Sequence, residues 1–400
     1  MARVCAIVIC LSVSATLLSS CWDRIELEQR GFVIGVAIDV ADKKKLEEHA
    51  SGEGVQEFKI TFQVVVPAGL KQSDKSGATP SNKAYFNVHV NGRTMQEVLA
   101  KLASQLSRLP FLEHLKLIII SEKVAATKLG FANVLDYFLR NNDARRNVSV
   151  MIAKGEASRA LDIVPQGERT PVFFINNIAR NGRELMRIHK DTRIGDVHEY
   201  LLKRESFTLQ KLTIKNLEAS LIGASVMDGK TNSLVGFLNQ RETQGLNYLT
   251  GDNDRGLIEL QVEDNLIVFE TERSQVRLTS EGTDKGNLKF KFLVEMEVVI
   301  AEAFERQDYL SELTIDKLQV KVEEEVVRLT EETIAKTQKI YKKDVIKLGS
   351  YLSENKPRLW SQLSDNWDSG INYFSKSEIK VKADVKIRRI GSVNQTEKRG

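Results

Sequence analysis

Cysteine is almost missing from this chain of 400 residues: there are three, at positions 5, 10 and 21. That excludes a disulfide-stapled scaffold and any zinc site built from paired thiolates. Histidine is scarce as well. His49, His89, His114, His189 and His198 show no metal-binding spacing such as HExxH. Aromatic residues make up 7%, too few for a cleft walled by rings. The formal charge is +4, from 58 basic and 54 acidic residues, so nothing argues for a nucleic-acid partner. No GxSxG and no Walker loop occurs. Nor is there a run of roughly 20 apolar residues, the length a membrane-spanning helix requires. The chain does have an ordinary globular balance, 42% hydrophobic and 28% charged.

The first stretch organises the rest. Arg3 precedes an apolar run from Val4 to Leu18 that Ser12, Ser14 and Thr16 interrupt, and Leu18-Ser19-Ser20-Cys21 follows. A short apolar run closed by small residues reads as a secretory signal. Its ending resembles a bacterial lipobox. In such lipoproteins the Cys sulfur receives a diacylglyceryl group and the signal, here residues 1–20, is cut just before it. Cys21 becomes the expected lipid-attachment residue, with an N-acyl group on its amine as a further option and no other cofactor. One acyl chain holds a protein to a membrane only marginally, and two suffice. The mature chain would keep one Cys and no intramolecular disulfide. At about 380 residues it is large enough to stand on its core alone. Trp22, Asp23 and Glu26 are candidates for a membrane-proximal interaction. Lys43-Lys44-Lys45 and the basic run from Lys376 to Arg389 read as solvated faces more readily than as lipid-binding patches.

Past the anchor the pattern is α+β. Gly31 to Val40 is apolar on both parities, as in a strand buried on both faces. Phe58 to Val66 and Ala84 to Val90 alternate with period two and read as strands. A polar loop with two prolines separates them. Thr94 and Glu97 form a capping box before a helix striped by Val98, Leu102 and Leu106 and ended by Pro110. His114 to Ser121 is a buried strand, Glu122 to Asn141 a helix, and Val148 to Ala153 a strand. A polar break near residue 170 closes an N-terminal domain of residues 21–170. Residues 171–214 form a small helical middle section.

Residues 215–400 are expected to form a C-terminal domain. Asp228-Gly229-Lys230 marks a hairpin. Leu288 to Ile300 alternates cleanly, and so does Ile379 to Ile387. Both are expected in an antiparallel sheet wet on one side, with Glu295 and Glu297 among the lysines of the other strand. Between them, residues 314–352 carry one apolar stripe and are expected to form a single long helix across that sheet. The fold class is therefore multi-domain α+β, with mixed and antiparallel sheets packed with helices.

Residues that could carry chemistry do not assemble into a site. Asp252, Asp254 and Glu263 have the spacing of a calcium loop, but Gly256 and Leu257 stand where Asp or Asn and Gly are needed, so a turn is the better reading. Glu26 with Asp39, or Glu302 with Glu305, is an acid/base pair in name only.

Cys21-Trp22-Asp23-Arg24-Ile25-Glu26-Leu27 followed by Gly35-Val36-Ala37-Ile38-Asp39 resembles the start of a Ger(x)C protein, the C-subunit lipoprotein of bacterial spore germinant receptors. The order continues through Gly92-Arg93-Thr94, His114-Leu115-Lys116, Arg140-Asn141-Asn142 with Arg145-Arg146, Leu221 to Val226, Leu234-Val235-Gly236 and Glu242-Thr243-Gln244-Gly245-Leu246. Asn141-Asn142 departs from the family, which often has an acidic residue after the Arg. The resemblance implies a three-domain, non-catalytic lipoprotein on the outer face of the spore inner membrane. Its partners would be two integral-membrane subunits, A and B, and membrane lipid. The complex would sense small nutrients, with the nutrient pocket in the B subunit. The alternative is a solute-binding lipoprotein delivering a small ligand to a transporter, which calls for two similar lobes. A cell-wall enzyme would need a site that the sequence does not offer.

Overall fold

The computed structural model describes residues 30–41, 57–66, 84–127, 130–141, 144–181, 186–263, 265–282, 285–303 and 312–389. In chain order the elements are β1 (Arg30–Val40), β2 (Phe58–Val65), β3 (Tyr85–Gly92), α1 (Met95–Gln105), β4 (Leu109–Phe111), β5 (Leu117–Ser121), α2 (Glu122–Ala126), α3 (Gly130–Arg140) and β6 (Ser149–Lys154). Next come α4 (Pro171–Asn181), α5 (Ile194–Lys203), β7 (Phe207–Lys215), β8 (Glu218–Ser220), β9 (Ala224–Asp228), β10 (Ser233–Leu238) and α6 (Gln240–Thr250). The last are β11 (Gly256–Val262), β12 (Asn265–Glu281), β13 (Lys289–Ala303), α7 (Glu312–Ile334), α8 (Leu348–Asn355), α9 (Pro357–Leu363), α10 (Tyr373–Lys376) and β14 (Glu378–Arg389).

One mixed sheet runs in the order β10-β9-β7-β6-β5-β1-β2-β3, with β4 beside β1 and β8 beside β7. Its centre explains the unbroken apolar runs. In β5, Ile118 and Ile120 face α1, α3 and α5, while Leu117 and Ile119 face α4 and a 3₁₀ turn at Ser158–Leu161. A strand covered on both faces has no parity to leave polar. Gly35 of β1 lets α4 sit close, since a Cβ there would lie 2.2 Å from Val172 Cγ2.

This sheet crosses the boundaries expected near residues 170 and 214. Helices α4 and α5 of the expected middle section cover opposite faces of it. The β9–β10 hairpin, placed by sequence with the C-terminal unit, extends it through β7. Alternation shows that a hairpin exists, not which sheet it joins.

The second sheet has the order β11-β12-β13-β14. On one face Val294, Met296 and Val298 pack under Leu318, Val322, Val326 and Leu329 of α7. The other face carries ion pairs: Arg277–Glu295 and Arg388–Glu297, at 2.6 and 2.7 Å. Two expectations need correcting. Strand β14 runs parallel to β13, not antiparallel, with Glu295 opposite Asp384 and Glu297 opposite Lys386. The reason is the helical crossover between them, which returns the chain to its starting end of the sheet. The helix expected over 314–352 is also broken. It ends at Ile334, widens into a π turn over Ala335–Tyr341, and stops at Lys342, which is left-handed at φ 56°. A bridging segment then leads to α8. The apolar period continues through Tyr341, Val345, Leu348 and Leu352 because these residues join one core, so the sequence showed no interruption.

Candidate functional site: a groove beside the N-terminal strand

The walls of the groove come from two family-like motifs. At the first, Thr94 Oγ1 accepts from Glu97 N at 3.2 Å, and Arg93 N donates to Glu97 Oε2 at 2.9 Å. The Thr94 hydroxyl is the N-cap expected from the sequence and fixes the start of α1. The Glu97 carboxylate, however, returns to Arg93 N, one residue before the N-cap, instead of to Thr94 N as a full capping box requires. At the second, Arg140 Nε donates to the Asp136 carboxylate at 2.8–2.9 Å. Beside it, Asn141 Nδ2 donates to Tyr137 OH at 2.7 Å. Distant in sequence, Arg93-Thr94 and Arg140-Asn141 line one open groove of about 1130 Å³. Phe58, Ile60, Met95 and Val134 also line it.

A second hollow of about 510 Å³ shares Gln96, Tyr137 and Asn141 with the first and ends on Arg30, Leu99, Leu109 and Phe111. The Arg30 guanidinium lies 4.0 Å from the centre of the Phe111 ring. Phe32, Phe111 and His114 pack ring to ring at 5.2–5.9 Å between centroids. His114, from the His-Leu-Lys motif, is therefore part of an aromatic cluster at this end. Such a groove, apolar below and with polar and charged walls, suits an amphipathic segment.

A second polar constellation ties the large sheet to the C-terminal half. Asp252 Oδ1 accepts from Lys190 Nζ and Lys347 Nζ, each at 3.0 Å. Burial alone would raise its carboxyl, but Lys347 and Lys190 hold it down at about 2. Next to it, burial pushes the His189 imidazole down to about 4, and its Nε2 lies 3.0 Å from Thr208 Oγ1 of β7. Asn247 Nδ2 donates to the carbonyls of Met186 and Ile188 at 2.7 and 3.0 Å. Further along, Lys343 Nζ pairs with Asp228 at 2.7 Å. Asp344 is buried and receives Leu348 N and Gly349 N at the start of α8. Burial pushes its carboxyl up to about 6 despite those donors. These groups hold elements together and bring no nucleophile and base into a cavity.

The sequence-derived candidates separate accordingly. Cys21, Trp22, Asp23 and Glu26 lie outside the described residues, as does Lys43-Lys44-Lys45. Asp39 accepts from Ala157 N and Ser158 N at 2.7 and 2.9 Å, so its carboxylate is an anchor for the 3₁₀ turn. Asp252 is engaged by two ammonium groups, and Glu263 sits past the end of β11 at φ 53°. The two residues therefore do not form a calcium loop. Arg30, Tyr137 and the Asp252 and Asp344 clusters were not anticipated. For Asp344 the signal was a lone acid inside an apolar stripe. For Arg30 there was none.

Comparison with known proteins agrees with this architecture. The family described as "Spore germination protein N-terminal domain" matches residues 23–214. The one described as "Spore germination B3/GerAC like, C-terminal" matches residues 222–391. The chain is 28% identical to spore germination protein YndF of Bacillus subtilis, over 98% of this chain and 96% of that one. It is 26% identical to spore germination protein A3 of the same organism, over 96% and 98%. The crystal structure of the GerBC protein superposes with a TM-score of 0.58 at 21% identity, covering 91% of this chain and 99% of that one. Among the described residues, no helix is long and apolar enough to cross a membrane. With both family halves in order behind the lipobox-like start, the chain belongs to the Ger(x)C family of spore germination proteins.

Proposed function

We propose that this protein is the lipid-anchored, non-catalytic C subunit of a nutrient germinant receptor. The observation that carries the reading is the pair of family matches spanning residues 23–391, directly behind Leu18-Ser19-Ser20-Cys21. Cys21 carries the diacylglyceryl group and holds the chain on the outer face of the spore inner membrane. There it docks on the integral-membrane A and B subunits, and tethering in one membrane raises their effective concentration. Trp22, Asp23 and Glu26 lie closest to the lipid. The named relatives are spore germination proteins, which supports a role in triggering germination. A solute-binding lipoprotein would want two similar lobes, whereas the described residues form sheets of unlike size and topology.

Intact-mass spectrometry of membrane-extracted protein tests the anchor. The expected mass starts at Cys21 with a diacylglyceryl adduct, and Cys21→Ala loses both adduct and membrane retention. Spores carrying Cys21→Ala should respond poorly to nutrients and recover fewer partner subunits by pull-down. A normal nutrient response in that strain would overturn the proposal.

A further inference from the structure

Parallel strands of the large sheet start together at one of its ends. Strand β1 starts at Arg30, beside Leu109 of β4. Strands β5 and β6 start at Leu117 and Ser149, in register with Gly35 of β1. The chain just ahead of these strands is basic. Arg108 precedes β4, and its carbonyl oxygen lies 3.6 Å from where a Cβ on Gly31 would stand. Arg145 and Arg146 precede β6, and Arg146 O accepts from Gly195 N at the start of α5. All three arginines are exposed, and among the described residues no carboxylate pairs with them. Leu109 at the same end is 52% exposed. We propose that this end of the sheet docks on an anionic lipid surface, with Leu109 entering the headgroup layer.

Two observations choose that occupant. The first is charge. Nearby, Arg140 and Arg193 are neutralised by Asp136 and Asp191. Half-buried Arg30 and Lys116 balance Glu113 and Asp196 in number. Arg108, Arg145 and Arg146 are left as an excess of one sign beside an exposed leucine. Lipid phosphates attract such guanidinium groups, and an apolar side chain gains by leaving water at the same boundary. The second is the tether, and this point rests on the lipid-anchored reading. Nine residues separate Cys21 from Arg30, so covalent geometry keeps Arg30 within about 30 Å of an anchored Cys21. The other end of β1, at Val40, lies about 33 Å further along the strand. The basic end is therefore the one held near the headgroups.

Vesicle binding by the full-length Cys21→Ser chain, which has no acyl group, tests the surface. Residues 1–20 can enter any bilayer, so the quantity read is a ratio. It compares binding to vesicles of equal parts phosphatidylglycerol and phosphatidylcholine with binding to phosphatidylcholine alone. At about fivefold per basic residue, three arginines predict a ratio of at least roughly a hundredfold. Arg145→Gln with Arg146→Gln should lower it about 25-fold. Lys154→Gln with Lys215→Gln should leave it unchanged, because these exposed lysines sit at the far ends of β6 and β7. A second readout locates the contact. With Cys5, Cys10 and Cys21 all changed to Ser, a polarity-sensitive fluorophore on Leu109→Cys should shift blue on the anionic vesicles. The same label on Leu217→Cys, 55% exposed in the turn after β7, should not. A ratio near one, a ratio that the lysine pair lowers as much as the arginine pair, or a blue shift at 217 alone would overturn the proposal. So would an arginine variant that binds vesicles normally but loses partner subunits in a pull-down, since the face would then be a protein interface. Mass spectrometry of the unaltered protein separates the two readings: an unacylated Cys21 removes the anchor and leaves the vesicle ratio standing, whereas an acylated Cys21 with a ratio near one removes the docking surface alone.

Discussion

The indole Nε1 of Trp367 donates to the Asp344 carboxylate at 2.7 Å inside the C-terminal core. Trp367 also packs edge-on against Trp360 and Phe290 at 5.7 and 6.2 Å. The charged form of Asp344 leans on this donor, because burial holds its carboxyl up at about 6. Trp367→Phe removes the donor and leaves a gap. It should cost about 2–3 kcal/mol of unfolding free energy. The loss should be larger at pH 8, where the carboxyl is ionised, than at pH 5. Urea denaturation at the two pH values checks this. Equal losses at both would place the whole effect in packing.

Acid should act on the joint between the halves through groups of opposite sign. The folded pKa of Asp344 is raised, so its protonation stabilises the fold as pH falls from 6 towards 4. The folded pKa of His189 is depressed from 6.5 to about 4, so its contribution is lost as pH falls through that window. Asp252, held at about 2, contributes stability above its ordinary 3.8 that is lost only as pH drops towards 2. Removing the histidine with His189→Gln should therefore make the midpoint rise on going from pH 6.5 to 4, relative to the unaltered chain. Thermal melts across that range check the sign.

Gly245 in α6 meets the backbone of α7. A Cβ there would lie 2.2 Å from the Leu329 carbonyl oxygen and 2.3 Å from Thr333 Oγ1. Backbone cannot step aside as a flexible side chain does, so Gly245→Ala should destabilise by about 2–3 kcal/mol. Gly286→Ala, where nothing lies within 4 Å of the added atom, should stay within about 0.5 kcal/mol of the original. Paired urea midpoints decide it. A neutral Gly245→Ala would mean that the two helices cross with slack.

Much of the fold was legible because burial writes itself into period. Alternation in β13 marks a strand wet on one side, and the run Leu117-Ile118-Ile119-Ile120 marks one covered on both. Relations between elements were not legible. Nothing in Ile379 to Ile387 tells which way the strand runs, since parallel and antiparallel strands present the same faces. The apolar stripe that crosses Lys342 hid the end of α7, because both sides of the break feed one core. Of the groove, Thr94 and Glu97 were readable as a local cap. Its far wall at Tyr137 and Arg140 was not, since only tertiary packing brings α3 beside α1.

The exposed edge of the second sheet is closed by a helix. Glu323 Oε1 accepts from Val385 N, and Gln319 Oε1 from Ile387 N, each at 3.1 Å. The geometry follows from two periods: four residues of helix rise about 6 Å, and two residues of strand advance about 6.6 Å. Side chains at i and i+4 on α7 thus reach alternate outward amides of β14. An uncapped edge invites pairing with another chain. Gln319→Ala with Glu323→Ala should cost about 1–2 kcal/mol in total and produce association that grows with protein concentration. Sedimentation velocity across a concentration series reads that out. A double variant that loses stability yet stays monodisperse would show that the edge is guarded by the bulk of α7 and not by these two acceptors.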